Sequence, residues 1–152
     1  MDVVDARTRS RMMSGIRGRD TKPEILVRKA LFAERFRFRL HRHDLPGSPD
    51  IVLPRYRVAI FVHGCFWHMH AGCRYAKMPA TRTDFWSKKL RGNVERDARA
   101  MEALVAAGWR VLVVWECATR DAATRAGIGS ALSSWIAGGE VRGEIAFCPP
   151  RA

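Results

Sequence analysis

Residues 57–73 constrain the fold more than any other stretch of the chain. Arg57-Val58-Ala59-Ile60-Phe61-Val62 is almost wholly apolar and runs straight into His63-Gly64-Cys65-Phe66-Trp67-His68-Met69-His70-Ala71-Gly72-Cys73. Such an apolar run reads as a strand covered on both faces, which calls for helices on either side of a sheet. The residues after it have neither helical nor strand period, yet three histidines and two cysteines fall within eleven positions. The fold must therefore hold an irregular, ligand-rich loop at the end of a central strand.

The flanking sequence supplies the layers. Thr21 followed by Glu24 matches a capping box, with Pro23 in the first turn, and Ile25, Leu26, Ala30, Leu31 and Ala33 carry an apolar stripe to about Arg35. Residues 36–40 alternate apolar and basic, as a half-exposed strand does. The turn-rich Leu45-Pro46-Gly47-Ser48-Pro49 delivers Asp50 to a short strand at 50–53, and 54–56 turn the chain into the apolar strand at 57–62. Phe85, Leu90, Val94, Ala98, Met101 and Val105 recur at three to five residues, which predicts a helix from Thr83 to about Ala107 with Gly108 as its C-cap. Residues 109–115 are a second continuous apolar strand, and 121–137 a glycine-interrupted helix ending at Gly138-Gly139. Trp109, Trp115 and Trp135 read as core. The order helix, three strands, helix, strand, helix predicts one α/β domain on a mixed central sheet flanked by helices. Ahead of it, residues 1–20 are rich in Arg and Met and read as a basic arm or short helix, with the main domain at 21–152.

Cys65, His70 and Cys73 offer three ligands from one loop, and Cys117 stands just after the last apolar strand, where it can meet that loop. Three thiolates and an imidazole form a standard closed tetrahedral zinc set, and bound zinc would fasten a loop that has no period of its own. The alternative is that Cys65 and Cys117 are small buried hydrophobes and the histidines incidental. Four cysteines, at 65, 73, 117 and 148, are too few and too scattered for a disulfide scaffold. Cys148, beside Pro149-Pro150, is left as a spare.

Charge points to the partner. Twenty-seven Lys and Arg against fifteen Asp and Glu give a net charge of +12 over 152 residues, an excess that favours a polyanion through counterion release. Nucleic acid fits better than a membrane surface, because no strongly amphipathic Lys-rich helix is evident. The absence of a signal segment or long apolar run leads us to expect a cytoplasmic protein.

If zinc takes His70, then His63 and His68 remain in the same loop. Two unligated imidazoles suit a general base and a phosphate or leaving-group partner, although a lone histidine is more often structural. Asp50, a carboxylate opening a strand beside a buried one, is placed as a Mg²⁺ ligand in a nuclease would be. The neighbouring strand, Ala59-Ile60-Phe61-Val62-His63, lacks the Glu-x-Lys that usually accompanies such an acid. Glu24 is either a second acid or the N3 member of its capping box. Phe66-Trp67 suits a wedge between base pairs, whereas Trp86 shares a helical face with Leu90 and Val94 and reads equally well as core.

Taken together, these residues resemble the very-short-patch repair (Vsr-type) DNA mismatch endonucleases. The resemblance covers about residues 6–118 and is carried by Thr8-Arg9-Ser10, Arg19-Asp20-Thr21-x-x-Glu24, Leu45-Pro46-Gly47-Ser48-Pro49-Asp50, Phe61-Val62-His63-Gly64-Cys65-Phe66-Trp67-His68, Pro79-Ala80-Thr81-Arg82-Thr83-Asp84-Phe85-Trp86, Asn93-Val94-Glu95-Arg96-Asp97 and Gly108-Trp109-Arg110-Val111-Leu112-Val113-Val114-Trp115-Glu116-Cys117. It implies a restriction-endonuclease-like core without the Glu-x-Lys element. It also implies Mg²⁺ held by Asp50 and the backbone carbonyl of Val62, and zinc held by Cys65, His70, Cys73 and Cys117. In the same way, His63 would assist the attacking water, His68 would act near the scissile phosphate, and Glu24 would support through water. Phe66, Trp67 and Trp86 would intercalate from the major groove, with Met13 as a minor-groove partner.

The implied reaction is a single-strand nick 5′ to the thymine of a T·G pair left by deamination of 5-methylcytosine. The implied actor is a monomer working on double-stranded DNA at the nucleoid, alone or with repair-protein partners. One departure is Ala71-Gly72, where relatives tend to be rich in histidine. Two other readings keep the basic charge and the cysteines: a non-catalytic zinc-held mismatch-binding module, and a restriction-type enzyme that cuts both strands.

Overall fold

The computed structural model of the protein describes residues 20–147. All of the basic arm at 1–20 but its last residue, Met13 included, and Cys148 lie outside the described residues. Helix α1 (Lys22–Ala33) begins at Thr21, whose side chain accepts from the Glu24 N–H at 3.3 Å, with Pro23 in the first turn. The Glu24 carboxylate accepts from the Asp20 N–H at 3.0 Å, one residue before the usual capping-box partner. Strands β1 (Arg39–Leu40), β2 (Ile51–Leu53) and β3 (Val58–His63) follow, with a 3₁₀ turn at Pro54–Tyr56 between the last two. After the loop come α2 (Thr83–Ala106), β4 (Arg110–Trp115), α3 (Glu116–Arg120), α4 (Ala122–Ala126), α5 (Ile128–Ala137) and β5 (Arg142–Ile145).

The five strands form one mixed sheet in sequence order. β1–β2 and β2–β3 are antiparallel, and β3–β4 and β4–β5 are parallel. Alternation along the central strands splits the core. Ile60, Leu112 and Val114 face Val27, Leu31, Leu132 and Ile136 of α1 and α5. Ala59, Phe61, Val111 and Val113 face Leu104 of α2, together with Cys65, Cys73 and Cys117. Both faces of β3 and β4 are thus covered, as their unbroken apolar sequence requires. The parallel register pairs His63 with Trp115, so the ligand loop and the segment carrying Cys117 leave the sheet side by side.

Three expectations change. The strand at 36–40 shrinks to Arg39–Leu40, because Arg35 at φ +66° turns the chain sharply, and Phe36 and Phe38 pack onto the core instead of pairing. The single helix at 121–137 is two, α4 and α5, separated at Gly127, with α3 ahead of them. The fifth strand, Arg-Gly-Glu-Ile, carries no apolar run and was not legible. It pairs with β4 and lies under Trp135, so close that a Cβ at Gly143 would sit 2.1 Å from the indole nitrogen. Arg110 reinforces that edge by donating to the carbonyls of Trp135, Ile136, Gly138 and Glu140, satisfying the end of α5. Among the described residues, no helix is long and apolar enough to cross a membrane.

Candidate active site and metal centre

The loop that leaves β3 is knit by turns rather than by regular structure. His68 N–H donates to Gly64 O, His70 N–H to Cys65 O and Cys73 N–H to His70 O, with Met69 and Gly72 in left-handed conformations (φ +48° and +70°). These reversals bring Cys65, His70 and Cys73 to one point, where Cys117 at the start of α3 meets them. All four are buried, and their ligand atoms lie within 4.8 Å of one another.

The chemistry of this set fits a thiophilic cation. Cys65 Sγ accepts from the Cys117 N–H and Cys117 Sγ from the Phe147 N–H, both at 3.3 Å, which is how backbone donors support thiolate ligands. Burial, with the neighbouring sulfurs adding to it, pushes the Cys65 thiol well above its usual range, and burial pulls the His70 pKa down. A bound cation compensates the first of these costs, and the second keeps His70 in its neutral, ligating form. The His70 ring is stacked on Trp115 at 4.0 Å, which fixes its plane.

A second cluster lies beside the first. His63, the last residue of β3, and His68 stack face to face, with centroids 3.7 Å apart and planes within 1°. Asp97, from the middle of α2, places one carboxylate oxygen 2.5 Å from His68 Nδ1 and the other 4.0 Å from His63 Nε2. Burial, then the charge of His68, lowers the His63 pKa to about 3, so His63 is neutral at working pH. Asp97 was missed in the site reading, although Asn93 and Asp97 stand four apart and so share one helical face. Asn93 completes that face by donating to Trp67 O at 2.9 Å, which ties the aromatic part of the loop to α2.

Asp50 stands at the head of β2, where its Oδ2 accepts from the Val62 N–H at 2.7 Å. Its Oδ1 has no hydrogen bond among the described residues. Burial raises the carboxyl pKa to about 7, working against the Val62 hydrogen bond and helped by the charge of Glu24. A desolvated carboxylate with one free oxygen beside a second acid is a fitting ligand for a hard divalent cation. Glu24 is itself committed on one oxygen: Oε2 accepts from the Asp20 N–H and from Arg28 Nη2, each at 3.0 Å. The adjoining group of Asp20, Glu24 and His41 could hold a cation by spacing. However, Arg28 Nη2 already lies 2.7 Å from Asp20 and 3.1 Å from His41 Nε2, so the guanidinium fills that place.

Asp50, His63, His68, Asp97 and Glu24 all line one cleft of about 800 Å³. Phe66 and Trp67 line it too, with ring centroids 5.0 Å apart, and they pack with Trp86 at 5.5 and 6.0 Å. All three are half-buried. Phe85 and Val94, expected on the apolar stripe of α2, are exposed at 46% and 38%. Only Leu90 and Leu104 of that helix are fully buried. The first turns of α2 thus pack on the aromatic loop rather than on the sheet.

Comparison with known proteins gives the family. A family model for DNA mismatch endonuclease Vsr matches residues 1–74. The chain is 50% identical over 120 residues to the type II nicking enzyme V.XorIIP of Xanthomonas oryzae pv. oryzae, covering 79% of this chain and 88% of that one. It is 47% identical over 139 residues to the DNA mismatch endonuclease Vsr of Escherichia coli, covering 90% and 88% respectively. Against the type II nicking enzyme V.NmeAIP of Neisseria meningitidis it is 43% identical over 122 residues, covering 80% and 86%. Related at this level over most of its length, the chain belongs to the Vsr family of DNA mismatch endonucleases and is a DNA-nicking endonuclease.

Proposed function

We propose that the chain makes a Mg²⁺-dependent single-strand nick 5′ to the thymine of a T·G mismatch, starting very-short-patch repair of deaminated 5-methylcytosine. The observation that carries this reading is the convergence of Asp50, Val62, His63 and His68 with the Phe66–Trp67 aromatics in one cleft. Asp50 and the Val62 carbonyl hold Mg²⁺, with Glu24 behind them. When bound, the ion neutralises charge developing on the phosphate.

The protein's own groups do the rest. His63, neutral and buried, orients the attacking water. Asp97 can only accept, so it fixes the His68 tautomer with the proton on Nδ1, leaving Nε2 to serve the scissile phosphate or leaving oxygen. Phe66, Trp67 and Trp86 insert beside the mismatch, where partial unstacking costs least. Met13 is the minor-groove partner in this reading. Cys65, His70, Cys73 and Cys117 hold structural zinc, which fixes the loop carrying both the aromatics and His68. The enzyme acts as a monomer on chromosomal DNA at the nucleoid.

The test is Asp50→Ala. It is expected to abolish nicking of a T·G duplex in Mg²⁺ while duplex binding persists, and retained full activity would remove Asp50 from the mechanism.

A further inference from the structure

The cleft has a feature that the chemistry above does not use. Arg120 ends α3, three residues after Cys117, and its guanidinium carbon lies 4.1 Å from the centroid of the Tyr75 ring. Tyr75 follows Cys73 by two residues. The stacked pair therefore hangs from two different ligands of the Cys₃His centre, and both residues line the cleft that holds Asp50, His63 and His68.

An arginine lying on an aromatic ring at a surface often does no more than cover apolar area. Three facts argue for more here. Arg120 is exposed, with no hydrogen bond or ion pair among the described residues, so its N–H groups are free to meet a ligand. The nearest acid in sequence, Asp121, is spent on the Thr124 N–H and hydroxyl at 2.9 and 2.7 Å. The Tyr75 hydroxyl accepts from Arg74 Nη2 at 3.1 Å, so the ring is fixed at its far end as well. A planar fork of donors, seated over a ring in the lining of the cleft, matches a phosphate diester.

We propose that Arg120, seated on Tyr75, is a phosphate-binding residue of the substrate cleft, and that the Cys₃His centre sets its position. The proposal rests on the cleft being the DNA site. The phosphate is a backbone phosphate beside the reacting one, so its contact contributes to binding rather than to the chemical step. The metal centre would then position a substrate contact besides holding the loop.

The experiment measures equilibrium binding of a T·G duplex by the full zinc-loaded chain across a salt series without added Mg²⁺, followed by steady-state nicking with Mg²⁺. Arg120→Ala is expected to weaken binding about tenfold and to reduce the slope of log K against log salt by about 1, the signature of one lost phosphate contact. KM should rise with kcat within about threefold. Arg120→Lys should keep the salt slope but recover only part of the affinity, because an ammonium neither stacks nor forks. Tyr75→Leu should weaken binding a few-fold with the slope retained, and Tyr75→Phe, which keeps the ring but loses its tie to Arg74, should fall between that variant and the parent. An unchanged salt slope and Kd in Arg120→Ala, with zinc content and melting temperature intact, would overturn the proposal. Nicking by the parent chain would still stand in that case, so this failure is distinct from failure of the cleavage reading.

Discussion

His68 Nδ1 lies 2.5 Å from a carboxylate oxygen of Asp97, so the imidazole of the ligand loop is oriented by a residue almost thirty positions away on α2. An orienting carboxylate of this kind is worth much of the catalysis its histidine performs. Asp97→Asn keeps the shape but allows the wrong tautomer. It is expected to lower single-turnover nicking by about 10²-fold with duplex affinity within a few-fold. Unchanged cleavage would mean that the pair is structural only.

The Cys₃His cluster predicts one zinc per chain by metal analysis. Four buried donors meet at one point, and a bound cation offsets the cost that burial sets on ionising the Cys65 thiol. Cys65→Ser should lose the metal together with cooperative thermal unfolding. A folded, zinc-free parent protein would contradict the assignment.

Asp50 predicts a pH dependence in the Mg²⁺-free protein. Burial raises its folded pKa to about 7, above the unfolded value near 3.8, so the native state binds a proton that the unfolded state has released. The resulting stability is complete below the unfolded pKa and is lost as pH rises through about 7. Asp50→Asn removes the ionisation while its side-chain carbonyl can still accept from the Val62 N–H. The melting temperature of the variant should therefore fall less than that of the parent between pH 6 and 8 (roughly one unit either side of the shifted value). Parallel curves would show that Asp50 does not titrate in that window.

Gly47 predicts how tightly the Asp50 loop is seated. Its φ is +74°, and a Cβ there would lie 2.6 Å from Ala100 Cβ on α2 and 3.2 Å from the Phe61 ring. Gly47→Ala therefore meets both backbone strain and a clash with a side chain that cannot rotate away. A loss of about 1–3 kcal/mol in chemical denaturation is expected, and a neutral result would mean that the loop yields freely.

Much of this architecture was legible because it rests on local patterns. The unbroken apolar strands at 58–62 and 111–115, the Thr21 cap and the long helix from Thr83 follow from periodicity and capping alone. The four zinc candidates could be read from spacing, since three come from one loop and Cys117 follows a strand end. What escaped depends on partners distant in sequence. β5 pairs with β4 and passes so close to Trp135 that only glycine fits at 143, and its four residues carry no apolar signal. Asp97 and Arg120 look like ordinary surface charges until α2 and α3 are laid against the ligand loop. The exposure of Phe85 escaped for the same reason: periodicity finds a helical face but not what covers it.

The central claim is strand-specific cleavage at a mismatch. The most direct measurement is strand-resolved mapping of products from matched, T·G and other mismatched duplexes, each with Mg²⁺. The account predicts one cut, 5′ to the mismatched thymine, with the opposite strand intact and the matched duplex uncut. Equal cleavage of the matched duplex, or cutting of both strands, would contradict it.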